Sequence, residues 1–161
     1  MIASVASDKL LAVIRYHGSV VPQWPLIDLK QRMWYKTVFL ADSEDGGTTW
    51  KNLRPLTTVH GQCHGHGLGL RDGSVIITHD HRYPPGTPSG KAMISRNGGR
   101  TWEDEVYYLY YGVHGSGFSQ NVELADGRIL TIATTIDEPS GTEKGVDKVV
   151  NYWAIGWRHT K

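Results

Sequence analysis

The sequence holds a single cysteine, Cys63, in 161 residues, so no internal disulfide framework can staple it. It also lacks an excess of charge of either sign. Seventeen Lys and Arg stand against sixteen Asp and Glu, a formal net charge of +1. That balance gives no broad field to draw in nucleic acid or an anionic membrane surface, and neither is expected as a partner. No apolar run approaches the ~20 residues of a membrane-spanning helix. Residues 1–9 lack a basic stretch followed by a long apolar one, so no signal peptide is visible. No amphipathic helical period emerges either. Phenylalanine is scarce, with two copies, while tryptophan has six, tyrosine eight and glycine 19. Aromatics among many glycines fit short strands and tight turns in one compact unit.

What is present is internal repetition. The segment His60-Gly-Gln-Cys-His-Gly-His-Gly-Leu-Gly-Leu-Arg-Asp-Gly73 aligns without gaps on residues 114–127, which end in Leu-Ala-Asp-Gly. An apolar run follows each Asp-Gly: Ser74-Val-Ile-Ile-Thr78 and Arg128-Ile-Leu-Thr-Ile132. Lys9-Leu-Leu-Ala-Val-Ile14, after Ser7-Asp8, reads as a third copy. Asp-Gly between two strand patterns is the strongest short hairpin signal.

A second repeated motif pairs Ser43-Glu-Asp-Gly-Gly-Thr-Thr-Trp50 with Ser95-Arg-Asn-Gly-Gly-Arg-Thr-Trp102. Asp45 or Asn97 can bond backbone amides across a tight turn, and paired glycines reach φ > 0 without strain. Ser and Thr hydroxyls can tie the flanks, and the Trp can plug a seam between units. Two copies of this pattern resemble the Asp box, or BNR repeat, of the sialidase superfamily of β-propellers. The stretch from His81-Arg82-Tyr-Pro-Pro through the second box is similar to a sialidase segment in which an Arg-x-Pro-Pro turn precedes an Asp box. Tyr152-Trp-Ala-Ile-Gly-Trp-Arg158 resembles the last strand of such propellers.

Four antiparallel strands per repeat of about 50 residues predict an all-β fold of propeller blades. The middle repeat reads as strands over 67–70, 74–82, 91–95 and 102–110. The first reads as strands over 9–15, 36–42 and 50–59, and the last over 120–124, 128–136 and 151–158. Blades then cover about 1–58, 59–111 and 112–161, the last without its outer strand. A closed propeller needs at least four blades, so the expectation is half of a six-bladed one. Further blades, N-terminal in the same polypeptide, are expected to complete the ring.

Strand parity puts the Asp boxes and Asp-Gly turns at one end of the blades. The His- and Arg-rich stretches 15–35, 60–66, 79–89, 112–119 and 136–149 fall at the other, where a rigid scaffold gathers binding loops. Alternation sets Asp80 and Arg82 on one side of their strand, and His79 and His81 on the other. Aligned by their turns, Arg15 corresponds to Asp80. An arginine fork can grip a sugar carboxylate with two bonds; the bland reading pairs Arg82 with Asp80 to stiffen the loop. His64 and His66 fall on one side of an extended chain, as in a metal or proton-transfer site, though Gly-spaced histidines in a loop can simply be solvated. The candidates are His64 and Asp80 as catalytic groups and Arg15, Arg82, His66 and His81 as substrate contacts. No metal or cofactor is expected.

The resemblance implies a sialidase-like glycoside hydrolase acting on a terminal acidic sugar of a glycan. It also implies a tyrosine nucleophile ahead of Leu-x-Asp-Gly, one of the exceptions to the two-carboxylate scheme. Phe118 stands there, with Tyr110 and Tyr111 nearby as substitutes. Two alternatives follow from Phe118 and the histidines: a propeller lyase or other glycosidase using His, and a non-catalytic carbohydrate-binding propeller.

Overall fold

The computed structural model describes residues 1–18, 35–56, 61–81, 88–103, 106–112, 114–137 and 149–159. Among them are eleven strands and no helix. Strands β1 (Ile2–Ser4), β2 (Leu10–Gly18), β3 (Tyr35–Ser43) and β4 (Lys51–Pro55) form one sheet in chain order. The second sheet is β5 (Gln62–Gly69), β6 (Val75–His81), β7 (Ser89–Ser95) and β8 (Val106–Tyr111). The third is β9 (His114–Glu123), β10 (Ile129–Asp137) and β11 (Val149–Trp157), with β10 central. Every pairing is antiparallel.

The middle sheet is covered on both faces, and the sequence of β6 says why. Val75 and Ile77 point one way, into a core with Leu11, Val13, Val38 and Leu40 of the first sheet. Ile76 and, on β7, Ile94 point the other way and meet Ile129, with Trp157 packed beside them. All seven residues of β6 are buried. A strand with two apolar faces gains about 1.5–3 kcal/mol from each Val or Ile so enclosed, and β6 carries three, Val75, Ile76 and Ile77.

The outer sheets each cover one face only. On β10 the inward residues Ile129, Thr131, Ala133 and Thr135 are buried, whereas Ile132 is exposed. Val122, Val150 and Tyr152 share that outward face by register and are exposed too. At the other extreme, Ile14 and Tyr16 of β2 and Ile2 of β1 are exposed.

Both repeated turns close with the same bonds. Ser43 Oγ accepts from Gly47 N–H at 2.8 Å, and Ser95 Oγ from Gly99 N–H at 2.8 Å. Asp45 Oδ1 accepts from Thr49 N–H at 2.9 Å, and Asn97 Oδ1 from Thr101 N–H at 2.9 Å. Gly46 and Gly47 have φ of 66° and 94°, which the glycine pair supplies without a Cβ penalty. The tryptophans differ. Trp102 packs against the first core, as expected of a seam plug. Trp50 does not; it is 39% exposed, its indole N–H bonded to Gly47 O at 3.1 Å. Among the described residues no sheet lies beyond β1–β4 to receive it.

Three boundaries also need correction. β1 is a strand that the sequence pattern did not announce. β5 begins at Gln62 and β9 at His114, so the stretches 62–66 and 114–119 are strand rather than loop. Glycine weakens strand propensity, but in β5 it has a packing reason. A Cβ on Gly67 would lie 2.9 Å from Val13 Cγ2, and one on Gly69 1.9 Å from Ser4 O. These glycines let the first two sheets approach along their inner edges. The site positions Arg82 and His60 lie outside the described residues.

Two outcomes are expected. Gly69→Ala should lower stability by about 1–3 kcal/mol, the scale of overpacking, since backbone cannot yield as a side chain can; an unchanged urea midpoint would refute the packing argument. The second concerns Asp45, whose carboxyl the Thr49 hydroxyl, then the Thr49 amide and Ser43 hydroxyl, hold at about 2 against an ordinary 3.8. Its contribution is therefore complete above pH 3.8 and lost as pH falls through 2. Asp45→Asn, which copies the second turn, should make the melting temperature less dependent on pH between 4 and 2; equal pH dependence in parent and variant would count against it.

Candidate functional site

At the end of the sheets away from the two repeated turns, the inner strands leave an open cleft of about 290 Å³. Met1, Arg15, His64, His66, Phe118 and Ser119 line it, so β2, β5 and β9 all contribute. The local cause is a bulge in β5. Register with β6 passes from Cys63↔Asp80 to His66↔Thr78, leaving His64 and Gly65 opposite the single residue His79. His64 takes a left-handed backbone with φ of 57°, uncommon without glycine. A Cβ on Gly65 would lie 2.6 Å from Val13 Cγ1, so the bulge can only fold down onto β2 with glycine there.

The bulge turns the His64 ring between two charged partners. Arg15 Nη1 donates to His64 Nε2 at 2.7 Å. On the far side, His64 Nδ1 lies 3.5 Å from Asp80 Oδ1, with side chains 11% and 3% exposed respectively. A guanidinium has only donors, so Nε2 is the acceptor and the ring proton resides on Nδ1, facing the carboxylate. This is the arrangement by which a buried acid sets the tautomer of a histidine. Phe118 covers the ring, centroids 5.1 Å apart, and is itself 70% exposed at the mouth of the cleft. An exposed flat aromatic face beside an arginine fork suits the apolar face of a sugar next to a carboxylate.

His66, two residues on, lines the same cleft but faces a different environment. Its Nδ1 lies 3.1 Å from Asn121 Nδ2 on β9. Burial pushes its pKa below 6.5, so it is neutral at neutral pH. His79 and His81 belong elsewhere. Both are buried on the β6 face opposite Asp80, and burial holds His79 at about 4. His81, 2% exposed, does not line the cleft.

Arg15, His64 and Asp80 thus come together, joined by the correspondence of Arg15 and Asp80 on successive sheets. Asp80 stands behind His64, away from the cleft surface. Sequence reasoning passed over Asn121. Its signal was a reversed alternation on β9, with polar Ser119 and Asn121 facing inward while apolar Val122 faces out.

The left-handed His64 yields a stability test. His64→Gly should be more stable than His64→Ala by about 1 kcal/mol, because only glycine is unstrained there. Equal unfolding free energies for the two variants would show that the bulge is not strained at this residue.

No protein-family model matches the chain and no curated protein matches its sequence, so the chemistry of the cleft rests on its own geometry.

Proposed function

We propose that this chain forms about three blades of a sialidase-type β-propeller and that its cleft acts on a carboxylated sugar of a glycan, as a glycoside hydrolase. The observation that carries the reading is the Arg15–His64–Asp80 line, a carboxylate-binding fork in contact with a histidine oriented by a buried acid. Two turns with the Asp-box hydrogen bonds and stacked antiparallel sheets of three and four strands support the propeller. The bare apolar faces of the outer sheets are the surfaces that further blades of the same polypeptide would cover.

In this reading the sugar carboxylate takes two bonds from Arg15. That draws the guanidinium away from His64 and frees Nε2, whose lone pair then accepts a proton from a water as its oxygen bonds the anomeric carbon; the glycosidic bond breaks and the departing alcohol oxygen takes a proton from solvent. Asp80 stabilises the imidazolium that results. Phe118 has no hydroxyl, so a covalent intermediate at this position is excluded and attack by water is the consistent route.

The 2.7 Å contact between Arg15 and His64 favours a second reading as well. A base beside a neutralised carboxylate is placed to remove the α-proton of a uronate, breaking the glycosidic bond by β-elimination. Products decide between the two. Elimination leaves an unsaturated uronate absorbing in the near ultraviolet, and hydrolysis adds the mass of water without that absorbance. Glycan binding with no turnover would identify a non-catalytic binding propeller instead.

For either chemistry, His64→Ala should lower kcat by at least about 100-fold, the usual share of a general base, with KM little changed. Arg15→Lys should weaken binding about tenfold although the charge is kept, because lysine lacks the planar fork. Binding of an acidic sugar by Arg15→Lys as tight as by the parent would overturn the assignment.

A further inference from the structure

A line of hydrogen bonds crosses the seam between the second and third sheets and ends at the cleft. Trp157 Nε1 lies 2.9 Å from Thr131 Oγ1. Thr131 Oγ1 lies 2.7 Å from Asn121 Oδ1. Asn121 Nδ2 then reaches Thr78 Oγ1 at 2.8 Å, His66 O at 3.3 Å and His66 Nδ1 at 3.1 Å. Four strands, β11, β10, β9 and β5, each contribute one member, with β6 supplying Thr78.

The directions in this line follow from its two ends, an indole N–H that only donates and the His66 carbonyl that only accepts, which turns Asn121 Nδ2 toward His66 and its oxygen toward Thr131. An indole N–H donates and cannot accept. Thr131 Oγ1 therefore receives that bond, which leaves its own hydrogen for Asn121 Oδ1. The amide of Asn121 has two hydrogens for three acceptors: one goes to Thr78 Oγ1 at 2.8 Å, and the other to the nearer His66 acceptor, Nδ1 at 3.1 Å, rather than O at 3.3 Å. An Nδ1 that receives a donor carries no proton. We infer that Asn121 is a positioning residue that locks His66 as its Nε2–H tautomer, so that His66 presents a permanent hydrogen-bond donor to an acceptor oxygen of the ligand in the cleft. His66 lines that cleft, and its Nε2 makes no hydrogen bond among the described residues.

The consequence is a division of roles between two histidines one residue apart. His64 carries its proton on Nδ1, and its Nε2 lone pair accepts from Arg15. His66 carries its proton on Nε2 and offers a donor. Arginine sets the first ring and tryptophan, through two relays, sets the second. The identity of the acceptor, a carboxylate or hydroxyl oxygen of an acidic sugar, rests on the function proposed above; the tautomer does not.

Nitrogen-15 NMR of histidine-labelled protein reads the tautomer directly, with no ligand. In the parent, His66 Nδ1 should resonate in the deprotonated range and Nε2 in the protonated range, with His64 showing the reverse. Asn121→Leu should shift His66 toward a mixture of the two tautomers while His64 keeps its own. Thr131→Val, a milder change that preserves volume and breaks the relay upstream, should do the same and serves if the Leu variant fails to fold. A parent His66 protonated on Nδ1, or an unchanged tautomer in a folded Thr131→Val protein, would overturn the inference. Glucuronate added to the parent should perturb His66 Nε2, and Asn121→Leu should bind it about tenfold more weakly. Glucuronate that binds through Arg15 yet leaves His66 Nε2 unmoved would overturn the donor role. Failure of the parent to bind glucuronate or N-acetylneuraminate would instead sink the acidic-sugar reading, the spectra still deciding the tautomer.

Discussion

Strand β6 is apolar on both faces, and that constraint organises what surrounds it. Val75 and Ile77 cannot be buried without the first sheet, nor Ile76 without the third. Three sheets must therefore stack in succession, which brings β2, β5 and β9 side by side at their inner edges. Close approach there needs a strand nearly free of side chains on one side, and the glycines of β5 supply it: Gly65 and Gly67 against Val13, Gly69 against Ser4. The histidines alternate with them because the period of a strand is two. The cleft is thus a product of the packing that makes the core, and its residues are spaced by it.

The bulge at His64 adds a local cost to this global demand. A left-handed non-glycine residue is disfavoured by roughly 1–2 kcal/mol, and it persists here where the ring gains contacts with Arg15, Asp80 and Phe118. Without the extra residue, strict alternation would place residues 64 and 66 on one face with equivalent surroundings. With it, the two rings enter different environments. One meets a guanidinium and a carboxylate, the other a carboxamide in the seam. Strain at this point and the difference in chemistry between two neighbouring imidazoles have one cause.

Much of the architecture was legible in the sequence because its signals are local. The paired glycines and Asp45 or Asn97 define their turns by themselves, and the apolar run Val75–Thr78 after Asp-Gly declares a strand. Aligning Arg15 on Asp80 placed them together with His64, since parity counted from a known turn carries to the end of a strand. Other features depend on distant partners and were not legible. Residues 62–66 read as loop because Val13, the reason for Gly65, lies on another sheet. Trp50 and Trp102 share one motif, yet among the described residues only Trp102 has a neighbouring sheet to plug. Asn121 looks like an ordinary polar strand residue until Trp157 and Thr131, on two other strands, fix the direction of its amide.

The two ends of the sheets handle polar groups in opposite ways, and this bears on where ligands are recognised. At the turn end, Asp45 spends its carboxylate on Ser43 and Thr49, Asp72 on the Ser74 amide, and Asp126 on Arg128. Their pKa values are lowered accordingly. At the cleft end, the donors and acceptors are oriented but not used up. Arg15 has one N–H on His64 and further donors in its fork. His66 has a proton at Nε2 with no partner among the described residues, and Phe118 leaves most of its ring uncovered. A surface whose polar groups satisfy one another stabilises a fold, whereas one whose groups are held in place and left partly unsatisfied is prepared for a ligand. That contrast is what the proposed reading rests on in placing recognition at the end where β2, β5 and β9 converge.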